Sequence, residues 1–144
     1  MTERFPEIFD AATIRLDYAG LKAGDQALII ADSGTHEPLL DAVYSASVAL
    51  GADVTVMKFR AREQPFNWEL PPLLEHAIYN ADFTYSLLSQ AWFYNSSSER
   101  VRGHMRMTGK RMGSWEGRDV AVGHFITLLP GNEEVIKRSQ IIDK

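Results

Sequence analysis

The feature that most constrains this chain is the run Ala27-Leu28-Ile29-Ile30-Ala31, five apolar residues with no polar interruption. A strand with one wet face alternates. A short continuous run suits a strand covered on both faces, as the strands of parallel sheets are. The run opens into Asp32-Ser33-Gly34-Thr35-His36, then a stripe of Leu39, Leu40, Val43, Ala46, Ser47 and Leu50 at helical spacing, then Gly51 and a β-branched stretch holding Val54 and Val56. Strand, turn, helix, glycine, strand is a βαβ unit. Two parallel strands need a crossover of about a dozen residues, and this helix supplies it.

The unit recurs along the chain. Ahead of it, Phe5, Ile8, Phe9, Ala12, Leu16 and Ala19 form a helical stripe closed by Gly20 and Gly24. Beyond it, Pro71 and Pro72 suit the first turn of a helix reaching Tyr79. Residues 81–88 read as a third strand. Residues 96–112 read as a helix with a serine cap and Glu99 in its first turn, against which Gly103 counts. Residues 119–125 read as a fourth strand and residues 132–139 as a short last helix. With 144 residues, 45% of them hydrophobic, the expectation is one α/β domain over residues 1–144. Its predicted form is a three-layer sandwich with a mostly parallel sheet flanked by helices.

The composition removes whole classes of function. The chain has no cysteine, which excludes disulfide scaffolds, thiolate zinc sites, iron–sulfur clusters and cysteine nucleophiles. No apolar run reaches the length of a membrane span, and residues 1–9 carry charges and a proline rather than a signal-peptide core, so the expectation is a cytoplasmic protein with no membrane partner. A net charge of −4 argues against general nucleic-acid binding. The charge is unevenly spread: residues 1–82 hold 6 basic and 13 acidic side chains, residues 83–144 hold 9 and 6. The two ends therefore present different surfaces.

Open parallel sheets bind ligands beyond the carboxyl ends of their strands. Residues 32–37, 59–68 and 89–96 are expected to meet there. The first segment puts Asp32, Thr35 and His36 just before a helix, whose amides could hold an anion. The same residues also suit an ordinary cap and turn. The third segment places Trp92, Phe93 and Tyr94 in a row, followed by Asn95 and Ser96. Three adjacent aromatics cannot all enter one core. They are either ligand anchors or a cap on the sheet's edge.

No catalytic residue is assigned, since neither a phosphate-binding glycine pattern nor a Gly-x-Ser-x-Gly elbow is present. His36, His76, His104 and His124 do not pair at metal-binding helical spacing, so no metal and no other cofactor is expected in this chain. Residues 100–111 hold five Lys/Arg and no acid. On a helix, Val101, Met105, Thr108 and Met112 share one face and Arg102, Arg106 and Lys110 another. The cationic stripe is either a solvated face or a contact for an acidic peptide, a phosphate or an acidic partner protein.

Several segments together carry a family resemblance. They are Gly20-Leu-Lys-Ala-Gly-Asp, Ala31-Asp-Ser-Gly-Thr-His36, Leu40-Asp-Ala-Val, Ala49-Leu-Gly-Ala-Asp-Val-Thr-Val56, Asn80-Ala-Asp-Phe, Thr108-Gly-Lys-Arg111 and Leu129-Pro-Gly-Asn-Glu-Glu-Val135. This ordered set resembles the N-terminal domain of the aminopeptidase T-like metalloprotease family, whose structural group includes the 2,5-dihydroxypyridine 5,6-dioxygenases. The likeness covers nearly the whole chain and breaks at residues 113–118, which look like an insertion. It implies an α/β domain that walls a substrate site while a C-terminal domain, absent here, holds a divalent metal. It also implies that residues 92–96 match the loop bordering substrate and residues 32–36 the first strand-end loop.

Two expectations follow. In the first, the chain is a non-catalytic relative that binds a peptide or a partner protein, accessory to peptide natural-product biosynthesis, with homo-oligomer formation as a further contact. In the second, it is the substrate-walling half of a metal-dependent aminopeptidase or ring-cleaving dioxygenase. The lack of a metal constellation favours the first for the chain as given.

Overall fold

The computed structural model describes residues 5–62, 68–89 and 96–115. Its elements run α1 (Phe5–Ala19), β1 (Gln26–Asp32), α2 (Glu37–Ala49), β2 (Asp53–Phe59), α3 (Pro72–Asn80), β3 (Phe83–Ser86), α4 (Ser96–Thr108) and β4 (Arg111–Ser114). The four strands are parallel, in the order β2-β1-β3-β4. The continuous apolar run is an inner strand, as its composition requires: residues 27–31 are at most 4% exposed. Ala27 and Ile30 stand beside Val54 and Met57 on one side and beside Phe83 and Ser86 on the other.

Strand alternation sorts the side chains into two cores. Ala27, Ile29, Phe83 and Tyr85 join Ile8, Leu16, Leu39 and Val43, from α1 and α2, on one face. Leu28 and Ile30 join Leu74, Ile78 and Val101, from α3 and α4, on the other. The α/β fold and its three layers are those expected. Ala11, Ala12, Ala42 and Ala46 are fully buried, and their small size lets α1 and α2 approach closely. No helix among the described residues is long and apolar enough to cross a membrane.

The C-terminal half corrects the sequence reading. The expected helix over residues 96–112 stops at Thr108. Gly109 adopts φ +71°, and its N–H donates to the Met105 carbonyl at 2.9 Å, a left-handed closure that a glycine adopts freely. The chain then re-enters the sheet as β4, paired from Phe83↔Arg111 to Ser86↔Ser114. The fourth strand of the described sheet is therefore Arg111–Ser114, and the expected insertion at residues 113–118 starts inside it. The expected strand over residues 119–125 and helix over residues 132–139 lie outside the described residues. The third strand is shorter than residues 81–88, although Leu87 N–H still donates to Ile30 O at 2.8 Å.

Ion pairs fasten the periphery. Arg111 of β4 donates to the Gly20 carbonyl and to Asp25 Oδ1, and its hydrogen bond holds the Asp25 carboxyl below the ordinary carboxylate range. Between α3 and α4, Arg100 Nε and Nη2 donate to the two oxygens of Glu75, each at 2.8 Å, and the Tyr79 hydroxyl donates to the same carboxylate. The Arg100 hydrogen bonds, aided by Tyr79 and opposed by burial, bring the Glu75 carboxyl down to about 2 from 4.5.

A depressed carboxyl contributes stability that is present above 4.5 and lost as the pH falls towards 2. Thermal unfolding from pH 7 down to about pH 2 is therefore expected to show Glu75→Gln less stable than wild type at neutral pH, with the gap closing in acid. A gap independent of pH would contradict this assignment.

Candidate functional site: the carboxyl ends of β1 and β3

The strand order reverses between β1 and β3. From β1 the chain crosses by α2 to β2. From β3 it crosses by α4 to β4, on the other face. Loops that part in this way open a crevice at the strands' carboxyl ends. Here the two loops are also laced together.

Asp32 ends β1 and is 2% exposed. Its Oδ1 accepts from the Gly34 N–H at 2.8 Å and the Ser89 hydroxyl at 2.7 Å, and its Oδ2 accepts from the Ser89 N–H at 2.9 Å. Buried Thr35 donates its hydroxyl to the Leu87 carbonyl at 2.7 Å and accepts from the Asp32 N–H at 3.0 Å. Ser33 extends the lacing to the loop after β2: its N–H donates to Phe59 O, and its Oγ accepts from the Ala61 N–H, both at 2.9 Å.

A third strand-end segment seats α4. Glu69 accepts from the Ser96 hydroxyl and from the Ser97 N–H at 2.9 Å, while the Leu70 N–H donates to Ser97 Oγ at 3.2 Å. A carboxylate at a helix N-terminus is favourable, and the Ser96 and Ser97 hydrogen bonds hold the Glu69 carboxyl below its ordinary range. Trp68 is buried beside Phe59, with ring centroids 5.9 Å apart.

The structure thus brings Asp32 and Thr35 together, but as a clamp between two loops rather than as a cap on α2. His36 is the half-buried N-cap residue of α2, and Ser96 is exposed at the start of α4. Trp92, Phe93, Tyr94 and Asn95 lie outside the described residues. Of the residues flanking their segment, Ser89 is held against Asp32 and Ser96 against Glu69. Arg102 and Arg106 are exposed on α4, whereas Lys110 lies beyond the helix and donates its ammonium to the Tyr79 carbonyl. The expected three-residue stripe is shortened accordingly.

Two residues of the site, Ser89 and Glu69, carried no individual signal in the sequence. Ser89 becomes a partner of Asp32 only once the pairing of β1 with β3 is known, and Glu69 a partner of Ser96 and Ser97 only once α4 is placed. Among the described residues, no group of three or more His, Asp or Glu side chains could hold a metal ion. Asp32 accepts three hydrogen bonds and Thr35 bridges both loops. What these bonds give the described rim is a fixed shape.

No family model matches the sequence, and no curated protein matches it. Among solved structures, the chain is similar to the 2,5-dihydroxypyridine dioxygenase from Pseudomonas putida KT2440, with a TM-score of 0.61 and 11% identity. The match covers 76% of this chain and 34% of that one, so the chain spans about a third of its neighbour's length. At that identity the likeness is one of fold alone.

Proposed function

We propose that this domain binds rather than catalyses, receiving an extended peptide or the matching surface of a partner protein at the crevice beyond β1 and β3. The observation that supports this reading is the lacing of Asp32, Thr35 and Ser89. It spends the polar groups of the strand ends on rigidity, and a preorganised rim loses little freedom when a ligand docks. The sequence between Ser89 and Ser96 would supply Trp92, Phe93 and Tyr94 as apolar anchors. Asn95 and Ser96 would hydrogen-bond an extended backbone. Arg102 and Arg106 would favour an acidic ligand through association rate rather than contact. Such a role would serve a peptide natural-product pathway as an accessory protein.

The structural likeness to the dioxygenase supports a second reading, in which the domain walls the substrate site of a metal-dependent dioxygenase or aminopeptidase and the metal is held elsewhere. Metal analysis of untagged protein tests what both readings expect, that this chain holds no stoichiometric divalent ion. What separates them is binding of a peptide by this domain alone, which only the first expects. The binding site itself is tested with a peptide selected on the wild-type domain from a displayed random library. Trp92→Ala is expected to weaken its binding by about 2 kcal/mol with thermal unfolding unchanged. Unchanged affinity together with a large loss of stability would make the aromatics part of the core instead.

A further inference from the structure

Among the described residues β2 is an outer strand of the sheet, seven residues long, without proline, glycine or a break in register. A long regular edge of this kind is a template for another strand. Its backbone groups alternate in direction. The Asp53 N–H donates to Asp25 O at 2.8 Å and the Phe59 carbonyl accepts from the Ser33 N–H at 2.9 Å, so odd-numbered residues address β1. Val54, Val56 and Lys58 therefore present both N–H and C=O outwards. Apolar side chains lie exposed beside this edge among its charged ones: Val56 is 36% exposed, and Tyr44 and Val48, one turn apart on α2, are 44% and 48% exposed.

We infer that this edge pairs with a second copy of itself, antiparallel about a two-fold axis through Val56. A symmetric antiparallel pair keeps side chains on matching faces only if the axis passes through a residue, and an isologous contact is self-complementary. With the axis at Val56, that residue faces the partner's Val56, and Val54 faces the partner's Lys58. Every outward N–H and C=O of the strand then finds an acceptor or donor, which no other axis position achieves. On the opposite face of the sheet, Asp53 falls against the partner's Phe59. The Arg62 guanidinium lies 5.5 Å from the Phe59 ring centroid, so a carboxylate meets a guanidinium twice by symmetry. This charge match favours a second copy over a foreign strand, while Lys58 keeps its 2.6 Å pair with Glu37.

The absence of cysteine makes a clean test possible. Directly opposed residues in a hydrogen-bonded antiparallel pair have Cα atoms about 5.5 Å apart, within disulfide reach. Under mild oxidation, Val56→Cys is expected to form a covalent dimer at least about tenfold faster than Leu73→Cys, a 75% exposed position on α3. Sedimentation should show wild type as a dimer of the 16.2 kDa chain. Val56→Lys, which sets two ammonium groups together at the axis, should weaken association at least about tenfold with an unchanged far-UV CD spectrum. Asp53→Arg should also weaken it, and adding Arg62→Asp should restore it. A wild type that stays monomeric up to about 100 μM, the range in which weak specific dimers form, would overturn the proposal, as would Val56→Cys cross-linking no faster than Leu73→Cys. If Val56→Lys fails to fold, the cysteine comparison decides alone.

Discussion

Gly113→Ala is expected to destabilise the domain by about 3 kcal/mol, the upper part of the range for overpacking a tight site. A Cβ at position 113 would stand 2.7 Å from Cε1 and 2.9 Å from Cδ1 of Tyr85, and 2.8 Å from the Cβ of Ala19. Neither neighbour can yield cheaply. Tyr85 is 2% exposed, lies parallel to Phe83 at 6.1 Å, and its hydroxyl accepts from Arg15 Nε at 3.3 Å. Ala19 ends α1, and the same Arg15 guanidinium sits 4.3 Å from the centre of the buried Trp115 ring. An added methyl would therefore have to push α1 off the sheet. Denaturant unfolding should show a lower midpoint at an unchanged m-value, and a midpoint equal to wild type would contradict the close approach of α1 to β4.

Asp32→Ala should cost a similar amount, again about 3 kcal/mol, by a different route. Hydrogen bonds to a charged acceptor contribute about 1.5–3 kcal/mol each, and three donors lose theirs while the exposed part of the loop relaxes to recover some of the loss. Asp32→Asn keeps one acceptor oxygen but turns an NH2 towards the Ser89 N–H, so it should fall between wild type and alanine. The change should also be local. Amide exchange at Gly34 and Ser89 should accelerate at least about tenfold more than at Ile29, because the clamp opens before the sheet does. Asp32→Ala unfolding within about 0.5 kcal/mol of wild type would mean that the clamp is ornamental, since changes of that size are ordinary at surface positions.

The parts of the fold that could be read in the sequence are those where burial dictates composition. Residues 27–31 had to be apolar throughout because helices cover both faces of β1, and α2 had to carry a stripe because only one of its sides meets the sheet. The reading failed where two elements contribute to one core. Met112 continues the helical period of Val101 and Met105, and it does pack against the same cluster, but from β4. Periodicity counted a strand residue as helical and passed over the stop at Gly109. The candidate site shows the same limit. Asp32 could be singled out from its loop, yet its partner Ser89 lies 57 positions away, and the pairing of β1 with β3 creates that contact. Lys110 shared a helical spacing with Arg102 and Arg106 only while the helix was extended past its true end.

Binding at the rim of β1 and β3 is tested most directly by an amide chemical-shift map of the labelled wild-type domain, titrated with the selected peptide. The largest changes are expected at Ser33, Gly34, Thr35, His36, Ser89 and the first turn of α4 from Ser96 to Ser98. Changes concentrated on the β2 edge or on the Arg102 and Arg106 face, with the rim unmoved, would contradict a binding site at the strand ends.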